Sequence, residues 1–167
     1  IMRITLLAFT ILTICPCFCS AQKVKKIRNL NERANTTEIF YVLKEKKDIK
    51  HGEYLYKYNG KIQVQGQFEQ NYAVGKWIYT PGKDFRIEGN FLNNRKNGVW
   101  KYYSNDRLIS EIRFKEGVLD GRATGYYENG QVAANTAYAN GHLEGEYIAF
   151  HENGNIKEKS NYTEGKL

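Results

Sequence analysis

The sequence predicts an all-β protein: an elongated, single-layer antiparallel β-meander built from stacked β-hairpin repeats. Three observations predict it. A Gly-x-aromatic step recurs at Gly52, Gly75, Gly98, Gly121 and Gly145, with spacings of 23, 23, 23 and 24 residues and Ala123 in the aromatic position of the fourth copy. A fixed period of this size marks repeated supersecondary units. The composition is rich in strand and turn formers, with thirteen Tyr, eight Phe, two Trp and fifteen Gly against two Pro. Finally, turn formers divide every unit at one phase: Asn59-Gly60, Pro81-Gly82, Asn105-Asp106, Asn129-Gly130 and Asn153-Gly154.

Residues 1–21 are a different material. Met2 and Arg3 precede the apolar run "ITLLAFTILTICPCFC", and "SAQK" follows. A short basic start, an apolar stretch and a small residue before the polar chain make a secretory signal peptide. Cleavage is expected after Ala21, giving a secreted or periplasmic protein that begins at Gln22. The alternatives are lipidation and a retained membrane anchor. Against lipidation, Cys15, Cys17 and Cys19 follow Ile14, Pro16 and Phe18, none of them small. Cleavage would remove every Cys, excluding disulfides and thiolate metal sites from the mature chain. Net charge would fall from +7 to +6 with the loss of Arg3.

Residues 22–37, "QKVKKIRNLNERANTT", are basic and weakly patterned and read as a flexible leader. Residues 38–51 read as a partial capping repeat: the second strand and a lengthened return loop of a zeroth unit. Five full units follow at 52–74, 75–97, 98–120, 121–144 and 145–167. Two residues after each Gly stand Tyr54, Trp77, Trp100, Ala123 and Tyr147. Late in each unit stand Phe68, Phe91, Phe114, Tyr138 and Tyr162, and six residues earlier Ile62, Phe85, Leu108, Val132 and Ile156. Columns an even number of residues apart share one strand face. The interleaved Gln63, Gln65 and Gln67, or Arg86, Glu88 and Asn90, put a wet face behind them. Each unit is then an aromatic strand, a turn, a second strand and a polar loop whose Gly supplies positive φ.

One such hairpin is marginal in water, but stacked copies pair their edges and join their aromatics into a ladder. With half of a ~200 Å² ring covered by neighbours, each aromatic contributes at most about 2.5 kcal/mol at ~25 cal/mol per Å². Ten or eleven strands are expected, spanning roughly 50 Å at ~4.8 Å each.

The Gly-x-Trp/Tyr step, the Asn-Gly turn, the late Phe or Tyr and the Asp-Gly or Glu-Gly loop resemble the MORN repeat over 38–167. "GYYENGQVAANTAYANGHLEG" is similar to the bacterial variant in YwqK-family antitoxins. The resemblance implies a long twisted sheet of hairpins that holds other molecules. The antitoxin type implies neutralising a partner toxin in the cytoplasm, which the export signal opposes. It implies no catalytic residues.

The chemistry of enzymes is not legible. His51 and His142 fall in return loops and His151 before a turn, without metal-ligand spacing. Asp120 and Glu144 precede a loop Gly, but Asn97, Val74 and His51 take the same place elsewhere, which suits turn residues better than a cation ladder. No nucleophile-elbow or phosphate-loop motif is present. A non-catalytic module with no metal and no cofactor is expected.

The candidate partner surface is the aromatic face: Tyr54, Tyr56, Trp77, Tyr79, Trp100, Tyr102, Tyr126, Tyr127 and Tyr147. These residues first of all hold the sheet together, and a single layer leaves part of them accessible to a protein or cell-envelope component. Lys44, Lys46, Lys47 and Lys50 form a basic loop patch, suited to anionic lipid. Nucleic acid fits an exported protein poorly, and a monomer is expected. Ala123 predicts a notch between Trp100 and Tyr147, into which Tyr126 and Tyr127 could swing. The fourth unit's extra residue is either a β-bulge near Gly125 or a longer hairpin loop. Three functions compete: an exported interaction module, an antitoxin-like neutraliser and a peripheral binder of anionic membranes.

Overall fold

The computed structural model describes residues 22–166. The export signal read at 1–21 lies outside them. The strands are β1 (Val24–Asn31), β2 (Thr36–Leu43), β3 (Lys50–Tyr58), β4 (Lys61–Glu69), β5 (Tyr72–Tyr79), β6 (Phe85–Leu92), β7 (Arg95–Ser104), β8 (Arg107–Lys115), β9 (Val118–Tyr126), β10 (Val132–Ala139), β11 (His142–Leu143), β12 (Gly145–Phe150) and β13 (Ile156–Tyr162). They form one antiparallel sheet in which spatial order follows chain order from β1 to β13, the two-residue β11 pairing β10 to one side. Among the described residues there is no helix. The fold class is the expected all-β meander of hairpins, with thirteen strands rather than ten or eleven.

Beyond the expected eleven, the two additional strands are β1, in the leader, and the two-residue β11. Residues 24–31 are not a loose leader: every residue of β1 pairs with β2, from Val24 opposite Leu43 to Asn31 opposite Thr36. The zeroth unit is thus a complete hairpin. A terminal strand needs only one partner and few apolar side chains, so Lys25, Lys26 and Arg28 are compatible with it and typical of an edge.

The Gly-x-aromatic step also lies elsewhere than expected. Gly75 and Gly98 sit inside β5 and β7, not in the preceding loop. Their φ angles of 63° and 75° are left-handed. Pairing is irregular there: Gln65 and Gln67 face Ile78 and Val74, and Glu88 and Asn90 face Lys101 and Asn97. Each pair of registers leaves the Gly and its two followers bulged opposite one residue of the previous strand.

The return connections are two-residue turns with both φ positive, as at Gln70-Asn71 (48°, 70°) and Asn93-Asn94 (50°, 65°). Each is fastened one unit back. The Asn71 amide donates to the Lys50 carbonyl at 2.9 Å, Asn94 to Ala73 at 3.0 Å, Gly117 to Lys96 at 2.8 Å, Gly141 to Leu119 at 2.8 Å and Gly165 to Leu143 at 2.9 Å. Of the turns dividing the units, Asn59-Gly60 and Asn105-Asp106 are equally tight, whereas Pro81-Gly82 lies in the longer 80–84 connection.

The fourth unit's extra residue makes a longer loop. Ala133 is bulged between Val132 and Ala134, but Gln63 and Ile109 are bulged at the same phase in units without an extra residue. What differs is the stretch 127–131, closed by the Tyr127 amide on the Gln131 carbonyl at 2.8 Å, and repeated at 151–155 by His151 on Asn155 at 2.8 Å.

Among the described residues no second layer covers the sheet, and the buried hydrophobic residues form a line along one face: Val42, Ala73, Trp77, Trp100 and Ala149; Thr124 is buried on the reverse. The reverse face is wet chiefly along the second strands. There Gln65, Glu88, Glu111, Asn135 and Lys159 alternate with Leu55, Ile78, Lys101, Thr124 and Ile148 of the first strands, in register across the sheet.

Candidate functional site

The ladder face is built from rings that touch across units. Tyr54 lies 5.4 Å from Phe68 and 5.6 Å from Trp77; Trp77 lies 5.6 Å from Phe91; Trp100 lies 5.1 Å from Phe91 and 6.3 Å from Phe114. Most of these contacts are edge to face, the favoured arrangement for aromatic quadrupoles. Tyr79 joins two units, with its centroid 6.2 Å from Trp77 and 6.2 Å from Trp100. At the other end Tyr147 meets Tyr162 at 6.5 Å.

The indoles owe their burial to glycines missed in the sequence reading. A Cβ on Gly66 would collide with the Trp77 ring, and a Cβ on Gly89 with the Trp100 ring. Each Trp lies flat over a bare stretch of the previous strand, leaving Trp77 at 5% and Trp100 at 1% exposure. The same column continues as Ile112, which pairs with Ala123. The partners are thus Gly with Trp, Gly with Trp, then Ile with Ala: bulk has moved across the strand gap while its total is roughly kept. Ile112 also pairs with Trp100, so an isoleucine side chain, where the earlier units have a bare glycine, adjoins both that ring and Ala123 at the place where a notch is expected. Gly66 and Gly89 could have been found as a period-23 column, 11 residues ahead of each Trp.

Neither Tyr126 nor Tyr127 fills that slot. Tyr126 belongs to the reverse face, where its hydroxyl donates to Glu111 Oε2 at 2.9 Å. It repeats Tyr103, whose hydroxyl donates to Glu88 Oε1 at 2.8 Å. Strand alternation enforces this, since Tyr126 is three residues after Ala123. Tyr127 stands beyond the end of β9 and donates to the Phe150 carbonyl at 2.6 Å, tying the fourth unit's loop to the fifth. The ladder face therefore gathers Tyr54, Tyr56, Trp77, Tyr79, Trp100 and Tyr102, with Tyr147 in a separate cluster.

The tryptophans are sealed, while Tyr54, Tyr56, Tyr79 and Tyr102 are half-buried, as are Phe68, Phe91, Phe114 and Tyr147. Burial raises the phenol of Tyr79 and of Tyr102. Tyr54 is pushed up to about 12, first by burial and then by the Glu38 carboxylate. These hydroxyls stay protonated at neutral pH; that of Tyr54 engages Glu38, and those of Tyr79 and Tyr102 can donate to a ligand. Tyr54 and Tyr56 also line a hollow of about 390 Å³ with Asn29, Leu30, Thr36 and Glu38.

Two lysines cap this face. Lys50 leaves the basic loop to which the sequence reading assigned it. It sits in β3 with Nζ 4.6 Å from the Phe40 ring centroid, 5.2 Å from Phe68 and 3.3 Å from Glu38 Oε1. Lys96 Nζ stands 4.3 Å over Trp100 and 4.8 Å over Phe114, a cation–π seat in which burial lowers its pKa. Lys44, Lys46 and Lys47 remain exposed in the β2–β3 loop.

The reverse face is polar in the middle of the array. Glu88 binds Lys76 at 2.9 Å and Arg86 at 3.3 Å; Glu111 binds Lys101 at 3.0 Å. Both carboxylates are lowered, Glu88 chiefly by the Lys76 hydrogen bond and Glu111 by that of Lys101. His51 and His142 lie in β3 and β11 rather than in loops. Among the described residues no three His, Cys, Asp or Glu converge as a metal site.

Residues 119–140 and 143–164 match the family model described as MORN repeat variant. These are the fourth and fifth units, each framed two residues ahead of its Gly. No curated protein matches the chain.

Proposed function

We propose that this array, whose last two units are similar to the MORN repeat variant, is an exported, non-catalytic interaction module that holds a protein or cell-envelope partner against its ladder face. The supporting observation is the row of half-buried Tyr54, Tyr56, Tyr79 and Tyr102, of which Tyr54 engages Glu38, on a sheet with no second layer over it among the described residues. Sealed tryptophans keep the surface rigid, so little ordering cost falls on binding. Tyrosines then supply apolar area and a polar tip at once.

The test replaces Tyr56, Tyr79 and Tyr102 by Ser, leaving both Trp in place. Material captured from the exported fraction of the native cell by the unaltered chain should be lost with the variant, while the β-sheet circular dichroism signal is kept. Equal capture by both would remove the ladder face from the proposal. The N-terminus of the exported chain should read Gln22. Neutralising a toxin, as the YwqK-type resemblance implies, is the same kind of holding, and recovery of mainly uncleaved chain from the cytoplasm would move the proposal to it.

A further inference from the structure

Charge is distributed very unevenly along the array. Residues 22–50 hold nine Lys or Arg against four Asp or Glu, whereas residues 51–167 hold fifteen against fourteen. Nearly all the excess therefore sits on the first hairpin and its loop. Lys23, Lys25, Lys26 and Arg28 are exposed along β1, and the Lys44 amide donates to the Lys23 carbonyl at 3.0 Å, which brings the loop lysines beside them. Lys23, Lys44 and Lys46 line a hollow of about 630 Å³ together with Leu43, Glu45 and Ile49. None of these cations makes an ion pair among the described residues; the acids bonded to cations lie further along the sheet or, like Glu38, serve Lys50.

β1 is also the terminal strand of the described sheet, with pairing on one side only. Its other edge presents alternate N–H and C=O groups to any extended chain. The cations occupy both faces of that strand: Lys25 pairs with Val42 on the ladder side, while Lys26 and Arg28 pair with Tyr41 and Ile39 on the reverse. A flat bilayer meets one face of a sheet at a time. A strand laid alongside β1 sends its own side chains to both faces and meets all of them. A second copy of the described sheet is a poor occupant, because the far edge of that sheet, β13, carries Lys157 and Lys159 around Glu158.

We propose that the β1 edge is a second docking site, distinct from the ladder face, that takes an acidic segment in extended conformation as an added strand. Backbone bonds hold the segment, and Lys25, Lys26 and Arg28 select its charge.

The test uses the full chain and a fluorescent peptide of alternating Glu and Val, read by anisotropy in about 20 mM salt, where surface charge is weakly screened. The acidic peptide should bind and its Lys-Val counterpart should not. Methylating the peptide amides along one edge should weaken binding by about tenfold or more, and so should Lys25→Glu with Lys26→Glu and Arg28→Glu. Because reversing three charges could unzip β1, Lys44→Glu with Lys46→Glu provides a variant outside the strand, and it should also weaken binding. On adding peptide, the β1 amides that do not face β2 should exchange more slowly. If the methylated peptide binds as well as the parent, the site reads charge alone and edge addition is wrong. If phosphatidylglycerol vesicles compete with the peptide while those amides stay unprotected, the pole is a membrane contact and the proposal fails.

Discussion

The second and third units and the fourth solve one packing problem in opposite ways. In residues 75–120 the bulk is on the first strand of each hairpin, as Trp77 and Trp100, and the neighbouring strand is stripped to Gly66 and Gly89. In residues 121–144 the first strand carries Ala123 and the neighbour carries Ile112. Burial follows the difference: Trp100 is 1% exposed, while Ala123, Tyr138 and Tyr147 are all only half-buried. The comparison teaches that the packing unit is a pair spanning two repeats. An aromatic column read down a single strand misses half of it.

The largest effect should come from emptying the better-packed region. Trp100→Ala should destabilise by about 3–5 kcal/mol, since the ring is wholly buried. Tyr147→Ala, with one ring neighbour, should cost clearly less. Urea unfolding followed by circular dichroism measures both, and equal costs would erase the distinction between the regions. Next, Gly89→Ala should cost about 1–3 kcal/mol by overpacking against the indole, and that cost should vanish in a Trp100→Ala background. Persistence of the cost there would mean that the glycine serves the backbone instead.

Ala123→Tyr sharpens the other side of the comparison. With Ile112 opposite, the new ring should destabilise by about 1–2 kcal/mol, and adding Ile112→Gly should recover most of it. Stabilisation by Ala123→Tyr alone would restore the vacant notch. The smallest effect belongs to the reverse face. Glu88 and Glu111 have folded pKa values below their ordinary ones, so their contribution is fully present above the ordinary carboxylate pKa. It is lost as pH falls through the lowered folded value. Glu88→Gln and Glu111→Gln should flatten the acid limb of a stability–pH profile by less than about 1 kcal/mol each, because Lys76 and Lys101 remain largely in solvent.

The fold was legible because its signals are local and periodic. Turn pairs such as Asn59-Gly60 and the 23-residue recurrence specify hairpins without knowledge of the neighbours. What escaped depends on contacts between units. Gly66 and Gly89 resemble turn glycines until Trp77 and Trp100 are placed over them. Tyr126 reads with the aromatic column until alternation from Ala123 is counted. Lys50 belongs to a run of lysines in the sequence, and only the start of β3 turns it onto Phe40 and Phe68. Strand β1 escaped because its pairing is with backbone, and backbone hydrogen bonding leaves little mark on side-chain pattern.

The pairing of bulk across unit boundaries also limits how such an array can gain or lose copies by recombination. Excising residues 75–97 brings Gly66 under Trp100, a junction the chain already uses. Excising residues 98–120 sets Gly89 beside Ala123, with a void where two side chains should meet. Excising residues 121–144 drives Ile112 against Tyr147. Copy number is therefore free to drift among the glycine–tryptophan units and is pinned on either side of the isoleucine–alanine junction, which acts as a molecular bookmark fixing where in the array the later units must stand.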